Sequence, residues 1–199
     1  MDIYIVRHGE THENINGNYY GAIDVSLSEK GKRQSEVVGK FISNIEFDYI
    51  FASEKRRAIE TVKYALGTSD DVRIDNRLNE RSFGIFEGHG YEKLKELFPK
   101  EYVEWENDWI DYVPQNGESH RNVCERVFEF MDNILKLEAK NICICTHAGI
   151  IRAIYCYLMD KNIEVFWKFA CKNGDLALLK YEYGNLYLDS IIPCGKFIE

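Results

Sequence analysis

The order of apolar runs constrains this chain more than any other feature. Short runs at Ile3–Val6, Tyr49–Ala52, Val72–Ile74 and Ile142–Cys145 alternate with longer segments of helical period, at about 29–43, 55–66, 91–98, 119–138 and 148–159. That alternation predicts an α/β domain with a largely parallel sheet. Two further runs, Leu176–Tyr183 and Leu186–Ile192, are separated by Gly184-Asn185 and read as a closing antiparallel hairpin. The first helix has two candidate caps, Ser26 (a capping box with Glu29) and Ser28, and Ser119 is the expected cap of the fourth. The stretch 80–118 is aromatic and irregular and reads as a lid over a site. At 199 residues the chain is expected to form one domain, 1–199.

Charge and cysteines narrow the function classes. A net charge of −8 provides no basic face for nucleic acid. Ten arginines remain, and an anionic small molecule responds to nearby guanidinium groups more than to net charge, because exposed charges are screened beyond ~10 Å. The most apolar stretch, Ile142–Met159, is interrupted by His147 and Arg152, so no membrane span is expected. Six cysteines lie mostly in apolar stretches without a CxxC pair, which predicts buried free thiols rather than disulfides or a zinc site. The chain opens directly into Ile3–Val6 without a basic leader, and a cytoplasmic protein, monomeric or homodimeric, is expected.

In doubly wound sheets, ligands bind beyond the carboxyl ends of the strands. The first strand is followed by Arg7-His8-Gly9-Glu10-Thr11, the second by Ser53 and Arg56-Arg57, the third by Leu78-Asn79-Glu80, and the fourth by Thr146-His147-Ala148-Gly149. Two histidines, several arginines and a glutamate thus arrive at one sheet edge. That inventory suits phosphoryl transfer by a nitrogen nucleophile, with planar guanidinium forks for three charged oxygens and a proton source for the leaving alkoxide. Arg7 and Arg57 disfavour an imidazolium at His8 and keep its lone pair available. Glu80 is the candidate acid, and His147, opening a helix, is the candidate donor to a phosphoryl oxygen.

The same blocks resemble the histidine phosphatase (phosphoglycerate mutase-like) superfamily. Arg7-His8-Gly9-Glu10-Thr11 with Asn14 is similar to its opening motif, and Asp24, Leu27-Ser28, Gly31 and Gln34 to the next block. Ser53-x-x-x-Arg57-Ala58-x-x-Thr61, Leu78-x-Glu80-x-x-x-Gly84-x-Phe86-Glu87-Gly88, Gly117-Glu118-Ser119 and His147-Ala148-Gly149-x-Ile151-Arg152 follow in family order. The spacing from Ser53 and the following Ala58 favour Arg57 over Arg56 as the pocket arginine. The resemblance implies a three-layer α/β/α fold and a phosphohistidine intermediate on His8. It also implies a phosphate pocket of Arg7, Arg57 and His147, Glu80 as proton donor, Asn14 and Gly21 as substrate-binding residues, and no metal or other cofactor. Glu13, Lys55 and His89-Gly90 depart from the family pattern.

Other readings remain on the sequence alone. His8 and His12 stand four apart as in a zinc hydrolase, although Gly9 lies between them and the glutamate is one place late. Cys145 and Arg152 resemble a cysteine-phosphatase loop with one residue too many. A non-catalytic phospholigand-binding protein, a broad-specificity phosphatase and a phosphoglycerate mutase are further alternatives. Arg81-Ser82-Phe83-Gly84 lacks the Arg-His-Tyr that follows the acid in cofactor-dependent mutases. The segments Phe83–Gly88, Phe98-Pro99, Trp105–Trp109 and Gly117–Ser119 look most like bacterial α-ribazole phosphatases, implying a small phosphorylated metabolite, α-ribazole 5′-phosphate of cobalamin synthesis, as substrate. Trp105, Trp109 and Tyr112 are then either a stacking surface for its base or simply lid packing.

Overall fold

Alternation within the central strands decides how the layers stack. In the computed structural model, which describes residues 1–198, β1 spans Asp2–Arg7 and pairs in parallel with β4, Asn141–Thr146. Ile3 and Ile5 of β1, with Ile142 and Ile144 of β4, face one side and are fully buried under α6 (His120–Ile134) and α7 (Ala148–Leu158). Val6, Cys143 and Cys145 face the other side and pack against α2 (Glu29–Ile42) and α3 (Arg56–Leu66). A strand whose neighbours both face helices must be apolar on both faces, and these are. With β2 (Tyr49–Ala52), β3 (Val72–Ile74), β5 (Leu176–Glu182) and β6 (Asn185–Ile192), the sheet runs β3-β2-β4-β1-β5-β6. The first four strands are mutually parallel where they touch, and the β5–β6 hairpin is antiparallel. This is the expected three-layer α/β fold.

Register positions the site. Val6 pairs with Cys145 and Arg7 with Thr146, so β1 and β4 end level and deliver His8 and His147 side by side. Thr11 caps a short helix the sequence reading did not contain, α1 (His12–Asn16), through a reciprocal bond with Asn14. Ser28, not Ser26, caps α2, accepting from the Gly31 N–H at 3.0 Å. The hairpin turns at Tyr183-Gly184 rather than Gly184-Asn185, with φ of +53° and +78°, the two left-handed positions a tight hairpin requires.

The segment read as a lid is less irregular than its composition suggests. Within 80–118 lie α4 (Tyr91–Leu97) and α5 (Pro99–Asn107), the second opened by a proline at its first position. Leu94, Tyr102 and Trp105 join Phe86 in a small core of their own, apart from the two that sandwich the sheet. The helix expected at 119–138 stops at Ile134; Leu137 still packs on the core from a turn. All six cysteines are buried free thiols. Among the described residues no helix is long and apolar enough to cross a membrane.

Candidate active site

His8 follows β1 and is 3% exposed. Its Nδ1 lies 2.7 Å from the Gly9 carbonyl, an acceptor only, so Nδ1 carries the proton and Nε2 presents its lone pair. Burial, then Arg7 and Arg57, push its pKa well below the usual imidazole value, which keeps the ring neutral. The His147 ring stands edge-on at 5.0 Å between centroids.

A chain of hydrogen bonds fixes the second histidine. Arg57, fully buried at the start of α3, donates Nε–H to His147 Nδ1 at 3.2 Å, and its terminal nitrogens donate to the carbonyls of Ile23 and Gly21. His147 Nε2–H then donates to Ser53 Oγ at 2.8 Å, and Ser53 donates to Asn79 Oδ1. Only one tautomer satisfies every step. Three of the five guanidinium N–H groups of Arg57 are engaged, leaving one free on each terminal nitrogen. The Tyr20 ring covers this guanidinium at 4.7 Å.

Arg7, Asn14 and Glu80 line a cavity of about 290 Å³ together with Tyr20, Ala148 and Gly149, whereas His8, Arg57 and His147 lie outside its lining. Arg7 donates Nη1–H to the Cys171 carbonyl at 2.5 Å, while its buried Nε–H has no partner among the described residues. Asn14 Oδ1 accepts from Thr11 and from Asn173 Nδ2, which aims its amide nitrogen away from the protein's own acceptors. Glu80 accepts from the N–H groups of Arg81 and Gly149. A side chain at 149 would put its Cβ 2.3 Å from Glu80 Oε1, so glycine is required for this approach.

Sequence reading missed the part played by Glu87. Its carboxylate accepts from the backbone N–H groups of Gly21, Ala22, Ile23 and Phe83 at 2.9–3.1 Å. The loop it gathers is the one whose carbonyls hold Arg57. Gly21, read as a substrate-binding residue, has its N–H on Glu87 and its carbonyl on Arg57, and does not line the cavity. Glu87→Gln puts an NH₂ against backbone donors; it is expected to destabilise the fold by about 2 kcal/mol in urea titrations and to lower kcat/KM roughly tenfold as Arg57 loses its seat. Wild-type values for both would show that the carboxylate does not hold the loop in solution.

The cavity wall is aromatic, and of the three residues expected there one contributes. Trp105 lines it; Trp109 packs against His120 and Trp167, and Tyr112 stacks on Phe86. Tyr19, Phe83, Phe166 and Trp167 supply the rest. Phe166 and Trp167 come from a 3₁₀ segment, Ile163–Lys168, with no signal beyond its aromatic content. His12 is exposed on α1 while His8 is buried, so the two rings share no face. Cys145 points into the core, its Sγ 3.3 Å from the Ala58 carbonyl, and burial pushes its pKa up.

The family model "Histidine phosphatase superfamily (branch 1)" matches residues 3–192. Phosphoserine phosphatase 1 of Hydrogenobacter thermophilus is 29% identical, over 99% of this chain and 96% of that protein. The adenosylcobalamin/alpha-ribazole phosphatase of Escherichia coli K12 is 30% identical over 87% of each. The crystal structure of the alpha-ribazole phosphatase from Shigella flexneri superposes with a TM-score of 0.89 at 28% identity, over 94% of each chain. With a neutral histidine between two arginines at a strand end and a family match over nearly its whole length, the chain belongs to the histidine phosphatase superfamily.

Proposed function

We propose that the chain hydrolyses a small phosphomonoester in two steps through a phosphohistidine. His8 Nε2 attacks phosphorus in line, the ester P–O bond breaks, and Glu80 passes its proton to the leaving alkoxide. Glu80 then takes a proton from water as that water attacks the phosphohistidine, and phosphate leaves with His8 restored. Arg7 and Arg57 hold the equatorial oxygens, Asn14 donates its Nδ2–H to one of them, and His147 offers the Nε2–H that Ser53 holds in this structure. Gly21 acts through its carbonyl, which seats Arg57. The observation that carries the reading is the fixed tautomer of His8: Nδ1–H on Gly9, Nε2 free, the ring kept neutral by burial and flanking arginines.

Two substrates have specific support. α-Ribazole 5′-phosphate fits the aromatic wall and the name of the Escherichia coli relative. Phosphoserine fits the name of the Hydrogenobacter relative and the arginines that the same wall contains. Both belong in a panel with 3-phosphoglycerate, sugar phosphates and nucleotides, assayed for phosphate release in excess chelator. Chelator-resistant release is expected. Activity that dies with chelation, or no release from any ester, would overturn the proposal; the latter would favour a binding protein.

A further inference from the structure

Glu80 stands where its backbone puts it. Among the described residues its carboxylate accepts only from two backbone N–H groups, those of Arg81 and Gly149, so no side chain steers it. The backbone on its N-terminal side is held by other elements. Three successive carbonyls, of Arg77, Leu78 and Asn79, all accept from side chains: Arg126 Nη1–H, Thr146 Oγ1–H at 2.7 Å and Arg126 Nη2–H at 2.8 Å.

Arg126 lies in α6, and Glu118, just ahead of that helix, fixes its guanidinium. Arg126 donates Nε–H to Glu118 Oε1 at 3.0 Å and Nη2–H to Oε2 at 3.1 Å, a two-pronged pairing, so four of its five N–H groups are engaged. Glu118 also holds the chain beyond Glu80. Its Oε2 accepts from the Ser82 N–H at 3.2 Å, its own N–H donates to the Ser82 carbonyl at 2.9 Å, and its carbonyl accepts from Arg81 Nε–H at 2.7 Å. One ion pair thus clasps residues 77–82 on both sides of Glu80. The clasp reaches the second histidine as well, because Asn79 Oδ1 accepts from Ser53 and Ser53 Oγ accepts from His147. Neither Arg126 nor Glu118 lines the cavity that Arg7 and Asn14 share; both line a second one, of about 470 Å³, which Glu80 also borders.

We infer that Arg126, locked by Glu118, is a positioning residue for proton transfer: it does not meet the substrate, and it sets where the Glu80 carboxyl stands relative to the leaving oxygen. This role rests on the phosphatase reading above, with Glu80 as the acid. A positioned acid contributes about 10²–10⁴-fold, and a misplacement of ~1 Å can cost about 10²-fold. The loss on breaking the clasp should therefore grow with the leaving group's need for a proton. A pair that only stabilises the fold would lower turnover of every ester alike.

Phenyl phosphate and 2,4-dinitrophenyl phosphate separate these cases, because phenolate needs a proton as it leaves and dinitrophenolate does not. In Arg126→Met, kcat/KM is expected to fall about 50-fold on the phenyl ester and about fivefold on the dinitrophenyl ester, the smaller loss passing through Asn79 to His147. Glu118→Gln keeps the shape, breaks the ion pair and should show the same skew, guarding against a misfolded Arg126→Met. Glu80→Gln is the reference. If it shows the skew and neither clasp variant does, the clasp is structural and the positioning role fails while Glu80 remains the acid. If none of the three shows it, Glu80 is not the acid and both readings fall. Should wild type turn over no ester, hydrogen exchange at Gly149 decides. That amide lies in the first turn of α7, where N–H groups have no acceptor within the helix, so its protection comes from Glu80. Exchange about tenfold faster in Arg126→Met, with amides in the middle of α7 unchanged, supports the clasp. Wild-type exchange at Gly149, or acceleration throughout α7, overturns it.

Discussion

Alanine in place of His8 is expected to lower kcat by about 10⁴-fold or more, leaving the melting temperature within a few degrees of wild type. The size follows from the role. Nε2 of His8 is the nitrogen left with a free lone pair beside Arg7 and Arg57, and the proposed phosphohistidine cannot form without it. Steady-state release of phosphate, together with labelled enzyme trapped under alkaline quench, measures both halves of the claim. Wild type should hold label that acid removes, and His8→Ala should hold none. His147→Ala is expected to cost less, because its partner Arg57 keeps two carbonyl anchors on Ile23 and Gly21. Label persisting in His8→Ala would place the nucleophile elsewhere.

Mild acid is expected to destabilise this fold well before its carboxylates titrate. His8, His120 and His147 are all buried, and burial lowers the pKa of each, to about 3 for His120. In the unfolded chain these rings titrate near ~6.5. Between the unfolded and folded values the unfolded chain therefore binds more protons, and stability falls as pH falls. The contribution is complete above ~6.5, begins to fade below it, and is gone only below the folded values. Each ring adds a slope of up to about 1.4 kcal/mol per pH unit, so the three together reach roughly 4 kcal/mol per unit. Urea midpoints at pH 7.5 and pH 5 would show it, and His120→Asn should remove about a third of the slope. A flat midpoint across that range would mean that water reaches these rings.

What the sequence discloses here depends on how local the information is. The four parallel strands and the residues that follow them are legible because an apolar run of three to six residues announces itself and its carboxyl end is the next position along. His8, Arg7, Arg57, Glu80 and His147 were accessible for that reason, and the parallel register brings their strand ends together. Glu87 and Asn173 escaped a functional reading because they act on backbone groups more than sixty residues distant in sequence. Helix α5 was missed because its apolar residues, Tyr102 and Trp105, pack on a satellite cluster rather than on the sheet, so the stripe is short. The aromatic wall was half legible: composition marked residues 80–118 as aromatic, but which rings face the cavity follows from helix rotation, and Phe166 and Trp167 arrive from the segment that follows α7.

The separate small core formed within residues 83–112 has an evolutionary consequence. Leu94, Tyr102, Trp105 and Phe86 are stabilised by one another and not by the sheet that carries His8 and His147. Drift in that cluster can reshape the chamber that sorts metabolites without disturbing the reactive centre, and the sheet is free to stay as it is. A lineage built this way can acquire new appetites through one peripheral segment, and a graft of residues 83–112 from a relative is the laboratory equivalent of that history.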